Sequence, residues 1–316
     1  MKKYIVSKQE ANQRIDKFLR KSLNNTPLSM IYKLFRKKDV KVNGHPVKEE
    51  YLLQENDEIA VYLPVEKESF VLEKEYRPVQ PAFKIVYEDD NILVVNKGMG
   101  VLVHNAENKN VSTLTDQVIT YLVQKGEYDP KTQAFIPAPA HRLDRNTTGL
   151  VLYGKNMQTL QELNKAFKDK TNIRKFYQVL VAGRVLEAGE ISAKLLKNEK
   201  TKMVRVSEQG QSALTIYRPL KHNDNYSLVE AEIKTGRTHQ IRVHFASINH
   251  PVIGDKKYGN FHTNSEFKKE YGWENQFLHA YKVILSGFSY LDYLNGKEFI
   301  AELPADKKQI IRKLFP

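Results

Sequence analysis

The chain has no cysteine in its 316 residues, which removes disulfides and thiolate-bound zinc or iron–sulfur sites from consideration. Any metal would have to be held by histidines and carboxylates. No apolar run of about 20 residues is present, and the start, Met1-Lys2-Lys3-Tyr4-Ile5-Val6-Ser7-Lys8, lacks the apolar core of a secretory signal. These absences suggest a cytoplasmic protein with no membrane partner. Acid is also short: 37 Asp and Glu face 50 Lys and Arg, a net charge of +13. Such an excess suits a polyanion, either nucleic acid or an acidic membrane surface, and charge alone does not choose between them. No internal repeat or low-complexity segment stands out.

The length suffices for two cores, one small and one large. From Ala11 to Ser22 the apolar residues Ile15, Phe18, Leu19 and Leu23 recur at helical spacing. A second helix follows Pro27-Leu28-Ser29, with Ser29 as the expected cap and Ile31, Leu34 and Phe35 facing inward. Val40-Lys41-Val42-Asn43-Gly44 reads as a strand entering a hairpin turn, and Ile59–Leu63 as the closing strand. Between Arg14 and Lys48, ten basic residues (Arg14, Lys17, Arg20, Lys21, Lys33, Arg36, Lys37, Lys38, Lys41, Lys48) face two acids (Asp16, Asp39), an excess of eight. The helix–helix–hairpin order, with Arg14-Ile15-Asp16-Lys17-Phe18-Leu19 and the Val-x-Val-Asn-Gly ending, resembles the S-four-type RNA-binding domain named after a small-subunit ribosomal protein. The resemblance covers residues 1–65 and implies a small α/β unit. Its RNA contacts would come from Arg14, Lys17, Lys33, Arg36, Lys37, Lys38 and Lys41. A plain solvated basic surface is the alternative.

Residues 66–82 read as a linker, with Pro78 and Pro81 and few periodic apolar positions. The large domain, 83–316, opens with strands Phe83–Tyr87 and Ile92–Val95 around a Glu88–Asn91 turn. Helices are expected at Leu114–Lys125 (Leu114, Val118, Tyr121 and Leu122 inward), Met157–Phe167 and Asp306–Leu314. Further strands are expected at Phe176–Val181, Leu214–Tyr217 and Tyr226–Ile233. Strands and helices mix without regular alternation, so the domain should be α+β with a mainly antiparallel sheet.

Asp144 stands between Arg142 and Arg145, before a polar turn and the apolar run Leu150-Val151-Leu152-Tyr153. A nearby opposite charge favours a carboxylate's charged form, and a loop on a rigid strand can present such a group as nucleophile or base. From spacing alone, a surface ion pair beside a turn explains the segment as well or better. Residue identity adds more. His141-Arg142-Leu143-Asp144-x-x-Thr147-Thr148-Gly149-Leu150-Val151-Leu152 resembles the signature HRLDxxTSGLLL of the RluA-type pseudouridine synthases, with Thr148 where Ser is usual. Three further stretches resemble that family: Lys175–Gly183 (KxYxAxxxG), Gly236–His244 (GRTHQIRVH) and His250–Gly259 (HPxxGDxxYG). Asn96–His104 is similar to NKPxGxxVH, with Gly98 in place of proline.

The resemblance implies an RNA isomerase that detaches uracil from a uridine, turns it and rejoins it through carbon five. Neither redox nor phosphoryl transfer is involved, so no cofactor is implied. Asp144 would attack the nucleotide or remove a ribose proton; both remain open. Tyr177 would stack on the base and take part, directly or through its hydroxyl, in the carbon-five proton transfer. Arg242 would pair with Asp144, with Arg237, Arg142 and Arg145 as competitors. For a helix starting near Thr238, that pairing needs the face of Thr238, Arg242 and Phe245 to look at the Asp144 loop. Arg145 is a candidate intruder into the RNA stack or a phosphate contact, and Arg142 and Arg237 are further RNA contacts. The implied partner is ribosomal RNA, free or within an assembling large subunit, with transfer RNA left open, and nothing requires more than a monomer. One rival is a non-catalytic RNA-binding ribosome-assembly factor. Another is a metal-dependent nuclease or phosphatase using His141, Asp144, His239, His244 and Asp255, against which the flanking arginines argue.

Overall fold

The computed structural model describes residues 1–23, 26–63, 76–104, 111–130, 133, 135–170 and 172–316. The N-terminal unit comprises β1 (Lys2–Ile5), α1 (Ile15–Ser22), α2 (Leu28–Arg36), β2 (Val40–Val42), β3 (His45–Pro46) and β4 (Glu58–Val61). Its strands pair antiparallel in the order β1-β4-β2-β3. Ile15, Phe18 and Leu19 of α1 meet Ile31, Leu34 and Phe35 of α2 over Val40, Val42, Ile59 and Val61, which is why two short helices hold. Asn43 and Gly44 both take positive φ, +51° and +82°, as a tight hairpin requires. Two sequence expectations are corrected. The first helix begins at Ile15 rather than Ala11, and Ser29 lies inside α2, because Pro27 precedes the first helical residue and no side chain caps it.

The expected linker, 66–82, falls largely outside the described residues. Its last part, 76–82, runs along a helix of the large unit, where the Val79 and Ala82 amides donate to Thr120 and Gln117. The large unit contains β5 (Lys84–Glu88), β6 (Ile92–Lys97), α3 (Leu114–Gln124), β7 (Ala138–Pro139), β8 (Thr148–Gly154), α4 (Met157–Asp169) and β9 (Ile173–Ala182). It continues with β10 (Gly189–Lys197), β11 (Val204–Val206), β12 (Gln211–His222), β13 (Tyr226–Ile233), α5 (Gln240–Ser247), α6 (Phe261–Tyr271), β14 (Leu278–Leu285), β15 (Glu298–Ile300) and α7 (Ala305–Leu314). The path through its 11-stranded sheet is β11-β10-β12-β13-β9-β14-β8-β6-β5, with β15 on β14 and β7 on β8. Among the described pairings only β14 with β8 is parallel, so the sheet is mainly antiparallel as expected.

Successive side chains of a strand point to opposite faces. Val95, Val151, Val179 and Val229 meet α3 and α5 on one face, while Leu150, Leu152, Leu180 and Leu228 meet α4, α6 and α7 on the other. Central strands buried on both faces need uninterrupted apolar runs, which accounts for Ile92-Leu93-Val94-Val95 and Leu150-Val151-Leu152-Tyr153. Tyr121 is a partial exception to its expected inward role. It is half-buried against Phe83, and its hydroxyl donates to Glu88 at 2.6 Å.

Candidate active site

Asp144 sits in the turn before β8, closed by the Thr147 amide donating to the Asp144 carbonyl at 3.1 Å. Lys97 holds this turn from below. Its buried ammonium donates to the carbonyls of Gly98, Val101 and Arg145 at 2.9, 2.9 and 3.0 Å. Burial lowers its pKa to about 7, against the pull of the Asp144 charge. On the far side, Gly149 has φ +118°, and a Cβ there would lie 2.1 Å from the Ala280 carbonyl oxygen. Only glycine lets β14 pair with β8 at this point. The Thr148 hydroxyl is buried between His279 Nδ1 at 2.8 Å and Lys307 Nζ, reaching in from α7, at 3.0 Å. The hydroxyl kept by the Ser-to-Thr departure thus serves the scaffold.

Arg242 projects from the first turn of α5 and donates from Nη1 to Asp144 Oδ2 at 2.9 Å. Two more of its donors are clamped by Asp255, Nε to Oδ2 at 2.6 Å and Nη2 to Oδ1 at 2.8 Å. Two fixed donors leave the guanidinium little freedom to follow anything but Asp144. Burial opposes ionisation of Asp255, yet the Arg242 bonds and charge and the amides of Lys257 and Tyr258 hold its pKa below the ordinary carboxylate value. The same two carboxylates keep Arg242 charged despite burial. The Tyr258 ring lies 5.1 Å from the guanidinium carbon.

The helix starts at Gln240, not near Thr238: Thr238 is exposed and His239 takes a left-handed φ of +54°. Phe245 turns into the core against Tyr217, so the supposed shared face does not exist; Arg242 alone of the three reaches Asp144. Gln240 fixes the preceding turn, accepting from Thr235 Oγ1 and the Arg237 amide and donating to the Leu214 carbonyl and Thr215. The competing arginines are engaged elsewhere or stand apart. Arg237 Nε donates to the Ser212 carbonyl at 3.1 Å, Arg145 Nε to the Gly100 carbonyl at 3.0 Å, and Arg142 is exposed at the rim.

An open cleft lies over these groups, lined by Arg142, Asp144, Thr147, Tyr177, Ile233, Arg237, His239, Arg242 and Leu278 among others. Tyr177 forms part of its floor on β9, with Ala231 and Ala280 as its cross-strand neighbours. Burial and the Asp144 charge push its phenol well above the ordinary tyrosine value, so it keeps its proton. His239 Nε2 is 3.9 Å from Asp144 Oδ2, and its Nδ1 is 2.8 Å from Tyr258 Oη.

The proposed metal ligands are scattered. His141 stacks on Phe167 and accepts the Leu152 amide, and His244 bonds Thr215. Among the described residues no three such side chains are grouped to share an ion. Sequence reasoning gave no role to Lys97 or Tyr258 and treated His239 and Asp255 only as candidate ligands. The signal was the HPxxGDxxYG resemblance, whose Asp and Tyr prove to be the clamp and ring around Arg242.

In the small unit, Lys17, Lys33, Arg36, Lys37 and Lys38 are exposed. Lys41 lies 5.4 Å from the Tyr62 ring centre, and Arg14 is drawn onto Asp16 at 3.0 Å.

Residues 91–247 match the RNA pseudouridylate synthase family, and residues 13–59 match the S4 domain. The chain is 36% identical over 286 residues to the ribosomal large subunit pseudouridine synthase C of Vibrio cholerae, covering 87% of this chain and 85% of that protein. It is 33% identical over 306 residues to an uncharacterized RNA pseudouridine synthase of Mycoplasma capricolum, covering 95% and 97%. Among solved structures, the human RNA pseudouridylate synthase domain containing 4 shares the fold at a TM-score of 0.59 and 23% identity, over 73% of this chain and 92% of that one. An aspartate loop, an arginine helix and an S4 domain, joined to identity along nearly the whole length, have one common explanation: the chain belongs to the RNA pseudouridine synthases.

Proposed function

We propose that this protein isomerises uridines of large-subunit ribosomal RNA to pseudouridine, as a cytoplasmic monomer and without a cofactor. We divide it into an RNA-binding domain at 1–65, a linker at 66–82 and a catalytic domain at 83–316. The observation that carries the reading is the Asp144–Arg242 pair, at 2.9 Å, at the base of a cleft with a tyrosine floor. The names of the Vibrio and Mycoplasma relatives support the reaction, and the former supports the substrate class. No helix among the described residues is long and apolar enough to cross a membrane.

The reaction breaks the bond between N1 and C1′, turns the uracil and joins C5 to C1′. A proton leaves C5 and one arrives at N1. Asp144 serves the first step, by attack or by removal of a ribose proton; Arg242 engages Oδ2, which leaves Oδ1 for the substrate. Tyr177, protonated, offers a ring face and a hydroxyl donor that retain the detached base. The target must leave its stack to reach the cleft, and Arg142 at the rim and Arg145 beside the acid are placed to fill the gap or hold phosphate. The exposed cations of α1 and α2 supply a second grip on RNA.

The test is release of tritium from C5 of transcribed large-subunit RNA, small-subunit RNA and transfer RNA, with chelator present. Wild type should release label from the first, and Asp144→Asn should release it at least about 100-fold more slowly. Tight binding without release from any of these RNAs or from assembling subunits would favour the binding-factor reading instead.

A further inference from the structure

His239 is held with unusual care for a residue given no role. It takes a left-handed backbone conformation, φ +54°, which is uncommon for L residues although histidine tolerates it better than most. Gln240, bonded to Thr235, Arg237, Leu214 and Thr215, fixes the turn on one side of it. On the other, Tyr258 Oη lies 2.8 Å from Nδ1 and accepts the Val204 amide at 2.9 Å. Backbone strain kept in place by several bonds is found where a side chain must be aimed. Here the aim brings Nε2 to the cleft, 3.9 Å from Asp144 Oδ2.

The isomerisation needs a proton acceptor late in the reaction, when C5 carries both C1′ and its original hydrogen. Asp144 is released from the ribose as C5 joins C1′, with Arg242 still bonded to its Oδ2 and His239 Nε2 beside it. Burial and the Asp144 charge favour the protonated form of Tyr177, which suits it to hold the base. We propose that Nε2 of His239 takes the C5 proton, an assignment that rests on the reading of Asp144 above. As it does so, the C5–H electron pair forms the C5–C6 double bond, the N1–C6 π pair moves onto N1, and N1 takes a proton from solvent. The imidazolium then returns its proton to solvent, so nothing is oxidised or consumed. The role requires Nδ1 to carry hydrogen and donate to Tyr258 Oη, whose two lone pairs serve this bond and the Val204 amide. The charged and titratable groups around His239 are Asp144, Arg242, Tyr258, Asp255 and Lys257. Burial lowers the imidazole pKa, Asp144 opposes this, and Arg242 and Lys257 lower it further, so the ring is a neutral base at pH 7.

The decisive variant is His239→Asn, which tolerates the left-handed backbone and has no basic nitrogen. With RNA deuterated at C5, wild type should turn over at nearly the rate of normal RNA. The variant should be about 100-fold slower, show a primary isotope effect absent from wild type, and bind RNA equally well. The wild-type rate should fall as pH drops below 6.5 and the imidazole gains a proton; His239→Asn should lose that limb and Tyr258→Phe should move it. A slow variant with no isotope effect and an unchanged limb would make His239 structural and overturn the assignment, as would an unimpaired variant. A wild type that releases no label would overturn the function itself, and this assignment with it.

Discussion

Lys33, Arg36 and Lys37 along α2, and Lys97, Arg242 and Lys307 around the cleft, are cations put to opposite physical use. The first three face solvent, where water already satisfies them and a phosphate would replace counterions. The second three are buried, Lys97 and Lys307 fully, and each has acceptors arranged around it: three carbonyls for Lys97, two carboxylates for Arg242, a hydroxyl and a carbonyl for Lys307. An exposed cation supplies attraction that salt screens. A buried one supplies position, because its desolvation is tolerable only in one arrangement of partners.

The largest effect should come from breaking a buried arrangement. Asp255→Ala leaves Arg242 without its clamp, and unfolding in urea should show a loss of about 3–5 kcal/mol together with loss of turnover. Replacing both partners, Asp255→Leu with Arg242→Met, should restore much of the stability and none of the activity. Failure of the double variant to recover stability would mean that the pair is kept for strength rather than position.

Next comes the pH dependence of folding. Burial lowers the pKa of Lys97 and Lys307 to about 7 and of Lys175 to about 8. Between those values and the unfolded value near 10.5 the unfolded chain binds more protons, so these lysines make stability rise with pH. Each contributes at most about 1.4 kcal/mol per pH unit. Thermal unfolding between pH 8 and 9.5 should show the rise, and Lys307→Met should flatten it; a variant with an unaltered slope would refute the lowered pKa of Lys307.

The smallest effect on the fold should come from the exposed set. Lys33, Arg36 and Lys37 replaced together by alanine should each change stability by no more than about 0.5 kcal/mol. The same triple variant should lower the log–log salt dependence of RNA binding by about 2 to 3. Its KM for RNA should rise while kcat holds. Loss of kcat instead would show that the small domain helps to build the cleft, and would erase the contrast.

The sequence was legible where pattern and chemistry coincide. Asp144 and Arg242 stand in long stretches of characteristic residues, and β6, β8, β9 and β13 announce themselves by apolar runs because both their faces are covered. What was missed lacks such a signature. β10, Gly189–Lys197, buries little more than Ile191 and Leu195 among charges, and α6 buries only Phe267. β14 carries Lys282 in its middle, which lies over the Phe176 ring at 4.5 Å and so hides a core strand behind a charge. Ser29 and Thr238 failed for one reason: a proline in one case and a left-handed histidine in the other set where the helix could begin. No spacing rule would reveal that Asp255 grips Arg242 across 13 residues and a change of element.

The parallel seam at Gly149 has a consequence for how the molecule is made. β8 and β9 come off the ribosome long before β14, yet β14 is the strand that lies between them. Until residue 285 has emerged, the two halves of the large sheet have no hydrogen-bonded connection through their middle, and each presents an open edge. Lys307 then bonds Thr148 from α7, which follows β14 in the chain. Amino-terminal units can fold early during synthesis. A nascent chain can therefore carry a finished RNA grip well before it has a finished cleft, and the strand that follows Asp144 gains its partners on the far side only after β14 and α7 have emerged.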